Sequence, residues 1–379
     1  MSKKILVLGS GLVGGPIAMD LAKDADMQVT VADINKASLT RITDERIQKI
    51  QADLSDTNEL NAIASDHDLI VNAVPGFMGY ETLKRCIEAE KDIVDIAFYP
   101  EDVFMLNDLA KTRGVTVIAD MGVAPGMSNL LTGFAVSKLK KTKNVEIFVG
   151  GIPKLRQQPW EYKAVFSPTD ILEEYTRPAR LVEHGKVVTK PPLTEIEHLE
   201  FDNIGTLEAF NSDGLRSLLF TIDAPEMKEK TLRYPGYAAK VKLLSDNGFF
   251  SNEEIDIYGK MIKPLDVTGQ LLFDQWKLKE GEVDITVMRI IVEGENEGKN
   301  LRYQFDLYDE YDPETRVHSM ARTTGYAASM AVRLIARGFY KERGITVPEM
   351  LGKNENNVLF MLEGLKSRNI IYTEKVTEY

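Results

Sequence analysis

The chain has 379 residues, 44% of them apolar, enough for two domains with separate cores and unlike a disordered protein. Its formal charge of −12 excludes nucleic acid and anionic membrane surfaces as natural partners, because like charges repel. A single cysteine, Cys86, rules out an internal disulfide, so a reducing, cytoplasmic setting is expected.

The first apolar run is short and broken by glycines, which does not fit a secretory signal, and no run approaches the length of a membrane-spanning helix. The four histidines, His67, His184, His198 and His318, share no metal-ligand spacing with each other or with Cys86, so no metal is expected.

Residues 4–9 read as a buried parallel strand. Gly9-Ser10-Gly11-Leu12-Val13-Gly14 follows and matches G-x-G-x-x-G, leading into a helical pattern through Ile17, Leu21 and Ala22. Residues 28–32 form a second strand with Asp33 at its carboxyl end. A glycine motif between strand and helix, with an acid about twenty residues on, is the context that makes a dinucleotide site specific. Gly9 permits the tight turn, Gly11 lets the pyrophosphate approach, and Gly14 lets the helix pack on the strand. Amides at the helix start hold the phosphates, with the helix dipole behind them. Asp33 accepts from the ribose hydroxyls and repels a 2′-phosphate, so NAD is favoured over NADP, with Lys36 and Arg41 close enough to temper that preference.

Residues 47–51 read as a third strand. Asp53 follows, either reaching the adenine or capping the next helix. Residues 68–73 are a fourth strand ending in Asn72-Ala73-Val74-Pro75-Gly76, which either walls the nicotinamide ring or simply turns the chain. A helix over 80–90, a strand over 92–96, a helix over 100–113 and a strand over 115–119 complete the alternation. Strict β-α alternation builds a doubly wound parallel sheet, a Rossmann domain of the α/β class, with ligands outside the carboxyl ends of its strands.

A Gly/Pro-rich bend, Asp120-Met121-Gly122-Val123-Ala124-Pro125-Gly126, changes the text, and a helix is expected over 127–139. Asp120 and Asn129 shape that bend. Alternating segments at 145–149, 179–183, 199–201, 231–234, 283–292 and 301–308 predict a second, α+β domain on a mostly antiparallel sheet. Residues 320–338 are the clearest helix of this half. Gly325, Ala328 and Ser329 make one side of it small, suited to close packing. The expected division is 1–124, 125–319, and a segment 320–379 returning to the first domain.

Blocks spread over nearly the whole chain resemble the saccharopine dehydrogenase/reductase superfamily: GSGLVGGPIA, VNAVPGFMGYETLKRCIEA, DIAFYPED, IADMGVAPGMSNLL, VGGIP, GTLEAFNSDGLRSL and ARTTGYAASM. Within it the chain looks most like the bacterial lysine 6-dehydrogenases. The resemblance implies a bilobal, homodimeric enzyme with its active site in the cleft between lobes. It also implies oxidation of an amino-acid amine to an imine with NAD. For lysine the ε carbon is oxidised, and hydrolysis gives a semialdehyde that cyclises. One departure stands out. Where the resemblance implies a histidine after R-Y-x-G, this chain has Tyr237, and residues 212–217 differ too, supplying Asp213 and Arg216.

Such chemistry needs a cation for the substrate carboxylate, and arginine offers a bidentate fork. Arg216 and Arg233 are the candidates, each with a surface ion pair as the alternative. A proton must leave the ammonium group before hydride can. Asp95, at a strand's carboxyl end, fits as base or as the cap of the following turn, and Glu208 is second. Tyr99 and Tyr237 are donors or wall residues. Two other functions stay open: a saccharopine-type reductase that condenses an amino acid with an aldehyde or keto acid, and a non-catalytic NAD-binding regulator.

Overall fold

The computed structural model describes residues 2–164, 168–279 and 281–379. They form two compact units, Met1–Phe134 with Ala321–Ile370, and Ala135–Met320 with Ile371–Tyr379.

The first unit is built on a seven-stranded parallel sheet. Its strands are β1 (Lys3–Leu8), β2 (Met27–Asp33), β3 (Gln48–Gln51), β4 (Leu69–Asn72), β5 (Asp92–Asp95), β6 (Thr116–Ile118) and, from the far end of the chain, Gly344–Thr346. In space they run Gly344–Thr346, β6, β5, β4, β1, β2, β3. The order reverses beside β1, which is the topological switch point where doubly wound sheets bind ligands. Ile5 to Leu8 are all fully buried, as a central parallel strand covered on both faces requires.

Helix α1 (Gly14–Leu21) follows β1. The helix expected over 80–90 spans Gly76–Glu88, starting earlier because Pro75, at φ −56°, stands at its N-cap. The single helix expected over 100–113 is a 3₁₀ turn, Val103–Leu106, continued by Asn107–Arg113. Asp102 sets the start by accepting from the Phe104 amide, and Gly114 ends the helix at φ +65°.

From Ala321 the helix Ser319–Ala336 belongs to the first unit. Its small face meets α1: a Cβ on Gly325 would lie 3.1 Å from Ile17 Cγ1. The contact is fastened by ions. Arg333 donates to Asp20 at 2.7 Å and to Asp24 at 2.8 Å, and Arg368 donates to Asp20 at 2.8 Å. Asp20 is fully buried, and the two arginines, with the Lys23 ammonium 3.7 Å away, compensate its charge.

The expected return of 320–379 as one segment needs correction. The strand Gly344–Thr346, which the sequence reading missed, adds to β6 in the first unit. The last strand, Tyr372–Glu378, instead pairs antiparallel with Lys299–Glu310 in the second unit.

The second unit has a nine-stranded sheet. Its main path is Glu197–Phe201, Gly205–Asn211, Glu226–Arg233, β7 (Lys141–Pro153), Asp284–Asn296, Lys299–Glu310 and Tyr372–Glu378; Ala179–Glu183 and Lys186–Lys190 complete it. Among the described pairings only that of Glu226–Arg233 with β7 is parallel, so the sheet is mostly antiparallel, as expected. Three helices absent from the sequence reading, Pro168–Thr176, Tyr237–Asp246 and Pro264–Trp276, contribute to an aromatic core with Tyr162, Tyr175, Phe210, Tyr237 and Trp276. Among the described residues no helix is long and apolar enough to cross a membrane.

Candidate functional site

The glycine turn has the shape its motif implies. Gly9 sits at φ +97°, and a Cβ there would stand 2.5 Å from the Ala73 carbonyl oxygen. A Cβ on Gly14 would meet the Gly9 oxygen at 2.1 Å. Gly11 differs: beyond its chain neighbours no described residue lies within 4 Å of its Cβ position, so its missing side chain leaves space for something other than protein. No side chain caps α1; its Gly15 amide donates to the Gly11 carbonyl at 3.3 Å, and Pro16 has no N–H to offer. Ser10 is buried, Leu12 is exposed and Val13 is half-buried.

Asp33 closes the site from β2. Its Oδ2 accepts from the Ser10 amide at 2.7 Å and the Ser10 hydroxyl at 2.9 Å, and its Oδ1 accepts from the Asn35 amide at 2.7 Å. These bonds orient the carboxylate and leave lone-pair capacity on Oδ1 for a ribose hydroxyl. Arg41 is turned away onto Ser38 at 2.9 Å, and Lys36 is exposed. An open turn, an uncapped helix start and an oriented acid together fit a dinucleotide.

On the far side of β1, Asn72 ends β4 and donates from Nδ2 to the Gly79 carbonyl at 3.0 Å, while its buried Oδ1 finds no partner among the described residues. Val74 belongs to the core of the unit, and Pro75 is exposed. Asp95, beside Asn72 at the end of β5, is fully buried. It accepts from the Tyr99 hydroxyl at 2.6 Å and the Ala97 amide at 3.0 Å. Burial pushes its carboxyl up to about 7, helped by the Asp120 charge and opposed by the Tyr99 and Ala97 hydrogen bonds. Asp95 therefore does cap the turn after β5, and it is also poised to exchange a proton near neutral pH.

In the second unit, several sequence candidates are already engaged. Arg233 is not an open fork. It donates to Glu174 at 2.9 Å and to the Leu232 carbonyl at 2.9 Å, and its guanidinium stacks 4.6 Å from the Tyr162 ring centre. Glu208 accepts from the amides of Gly236 and Ala238 at 2.7 and 2.6 Å, holding the start of the helix Tyr237–Asp246. The Tyr237 hydroxyl is shared with that of Tyr175 at 2.8 Å inside the aromatic core. Arg216 is buried at φ +51°, in a loop whose Asp213 holds Arg180 through bonds of 3.1, 2.9 and 2.8 Å. Asp53 is an exposed turn residue bonded to Ser55, and the cap of the helix Thr57–Ser65 is Asp56.

The sequence reading missed Glu174 and Glu229. Glu229 stands in an alternating Glu/Lys run that reads as a solvated face, yet it is buried. The partnership of Glu174 with Arg233 joins residues far apart in the chain.

Comparison with known proteins bears on the whole chain. The family model described as the saccharopine dehydrogenase NADP binding domain matches residues 5–118, and that of the saccharopine dehydrogenase C-terminal domain matches residues 122–371. Saccharopine dehydrogenase [NADP(+), L-glutamate-forming] of Pyricularia oryzae is 27% identical over 67% of this chain, and the match spans 59% of that protein's length. Carboxynorspermidine synthase of Vibrio cholerae is 24% identical over 92% of both chains. The solved saccharopine dehydrogenase (L-Glu forming) of Saccharomyces cerevisiae shares the fold, with a TM-score of 0.81, 21% identity, and coverage of 99% of this chain and 100% of that one. With both halves matched by their own models, the chain belongs to the saccharopine dehydrogenase family.

Proposed function

We propose that this protein is an NAD-dependent oxidoreductase acting on an amino-acid C–N bond, and that its substrate is the ε-amine of L-lysine. The observation that carries the cofactor choice is the Asp33 carboxylate at the end of β2, oriented by Ser10 and Asn35. A fixed negative charge there favours an unphosphorylated ribose. The name of the Pyricularia relative specifies NADP(+), so this acid is the point on which the preference turns.

When bound, the dinucleotide supplies the hydride acceptor. The chain supplies the rest. Asp95, ionised by half near neutral pH, takes the proton from the substrate ammonium, with Tyr99 holding the carboxylate in place. Loss of hydride from the adjacent carbon then leaves an imine, and water cleaves it to the semialdehyde and ammonium.

The test is a panel of L-amino acids and polyamines offered with NAD and with NADP, followed by absorbance of the reduced nicotinamide. Reduction of NAD by L-lysine alone is expected. Asp95→Asn should lower turnover at saturating lysine at least about a hundredfold, near the lower end for a general base; near-normal turnover would remove Asp95 from the mechanism. A second reading, supported by the similarity to saccharopine dehydrogenases and to carboxynorspermidine synthase, is a reductase joining an amino acid to an aldehyde or keto acid. It predicts NADH or NADPH oxidation only when both substrates are present.

A further inference from the structure

Between two helices of the second unit, Tyr237–Asp246 and Pro264–Trp276, the chain makes a hairpin of its own, Ile255–Ile257 paired antiparallel with Lys260–Ile262. It belongs to neither large sheet. Its base is tied by the Leu265 amide, which donates to the Ser251 carbonyl at 3.1 Å. Beyond that base, residues 252–261 are exposed without a break. Two strands alone are marginal in water, and a stable hairpin rests on a third strand or a helix. Here both faces meet solvent.

The register gives the faces different characters. Ile255 and Ile257 share one face with Ile262 and Lys260, while Asp256 and Met261 share the reverse. Ile255 and Ile257 are 47% and 40% exposed. The connection is a two-residue turn, Tyr258-Gly259, with φ +53° and +84°. Such a type I′ turn takes Asn, Asp or Gly at its first position, because a bulky side chain is strained there. A tyrosine holds the place instead, fully exposed at the tip. An aromatic kept at a strained, solvated tip points to an anchor for another molecule, since tyrosine is among the residues that dominate interfaces.

We propose that this hairpin is the surface through which two copies of the chain associate, with Tyr258 as anchor and the Ile255–Ile257 face as apolar centre. Area and charge select a second copy. Phe249, Ile255, Ile257, Tyr258, Val267 and Leu271, all exposed within one short span, present on the order of 600 Å² of apolar surface, against the ~800 Å² that a standard interface takes from each partner. A monomer rarely leaves that much apolar surface together. The net charge of −12 opposes self-association in general, but the hairpin is mixed in sign. On the isoleucine face the paired strands carry a single charge, Lys260, next to the tip, and Glu253 and Glu254 precede the base. A two-fold contact uses the same patch twice. Turned end over end, one hairpin sets its lysine toward the glutamates of the other and isoleucine against isoleucine.

The experiment is sedimentation velocity of the full-length protein over a range of concentrations, for wild type, Ile257→Lys, Tyr258→Asn and Met261→Lys. Wild type should reach twice the mass of one chain. Ile257→Lys and Tyr258→Asn should each raise the dimer dissociation constant at least about tenfold, as loss of an interface anchor does. Tyr258→Asn should keep or raise the melting temperature of dilute protein, because asparagine accepts the left-handed turn, which separates an interface role from a structural one. Met261→Lys, on the reverse face, should associate as wild type does. In wild type, amides 255–262 should exchange faster on dilution. A monomeric wild type, or a dimer that Ile257→Lys and Tyr258→Asn both leave intact, overturns the proposal. In the first case, flotation with phosphatidylcholine vesicles would give the face to a membrane, and its absence to a different protein. Should Ile257→Lys not fold, Tyr258→Asn and the dilution response decide. Equal weakening by Met261→Lys overturns the choice of the isoleucine face.

Discussion

The glycine turn of the first unit and the charged strand face of the second are built on opposite principles. At the turn, the structure rests on what is missing: Gly9 and Gly14 have no room for a Cβ, and Gly11 has room that no described residue beyond its chain neighbours fills. On the strand, the fold rests on side chains completed by distant partners, Arg233 by Glu174 and Glu229 by Ser212. A backbone requirement names its residue type wherever it occurs. A side-chain network names only a charge, and its meaning depends on what folding brings beside it.

Substitutions can break that contrast, the largest effect first. Gly14→Ala drives a methyl group to 2.1 Å from the Gly9 oxygen, so it should cost about 3 kcal/mol of stability, the upper range for overpacking, and abolish coenzyme binding. Thermal melting and calorimetric titration with NAD measure the two losses. Gly11→Ala should separate them, lowering NAD affinity at least about tenfold while stability moves by less than about 1 kcal/mol. Equal damage from the two alanines would mean that Gly11 serves packing and that the open space is not a ligand's.

The strand face is tested by pH. Unfolded, Glu229 and Asp95 ionise near their ordinary values of 4.5 and 3.8; folded, they hold their protons up to about 8 and about 7. Between these limits the unfolded chain binds fewer protons, so wild-type stability falls as pH rises from about 4 to about 8. Glu229→Gln removes one of the two contributions, and a flatter profile of melting temperature against pH is expected; a profile parallel to wild type would show that Glu229 is ionised in the folded protein. The smallest effect belongs to Asp53→Ala. This exposed turn residue should change stability by less than about 0.5 kcal/mol, and NAD affinity should stay as in wild type.

The same contrast explains what could be read from the sequence. β1, the turn after it and Asp33 were legible because strand, glycine spacing and acid lie within one short stretch. The parallel sheet followed from simple alternation, and the mostly antiparallel second sheet from period-two segments. The cap that Glu208 makes was hidden because the helix start it holds lies at Gly236, on the far side of a strand pairing that only the folded sheet reveals. Arg233 looked available because Glu174, its partner, is 59 positions away. Gly344–Thr346 escaped notice since three residues are too few to show a strand period, and Glu229 because a Glu/Lys alternation ordinarily marks a wet surface.

The discontinuity of the first unit bears on how the chain is made. During synthesis β1 to β6 emerge early, but β6 gains its outer neighbour and Asp20 its two arginines only after Ile345, Arg333 and Arg368 have followed the long segment Ala135–Met320 of the second unit out of the ribosome. Until then a sheet edge is open to other chains, and a carboxylate destined for the interior has only the half-exposed Lys23 ammonium, 3.7 Å away, for counter-charge. A fragment ended before Ala321 would be held permanently at that stage, so attempts to isolate the nucleotide-binding portion by simple C-terminal trimming should yield aggregating material, whereas joining Phe134 to Ala321 through a short tether would preserve its closure.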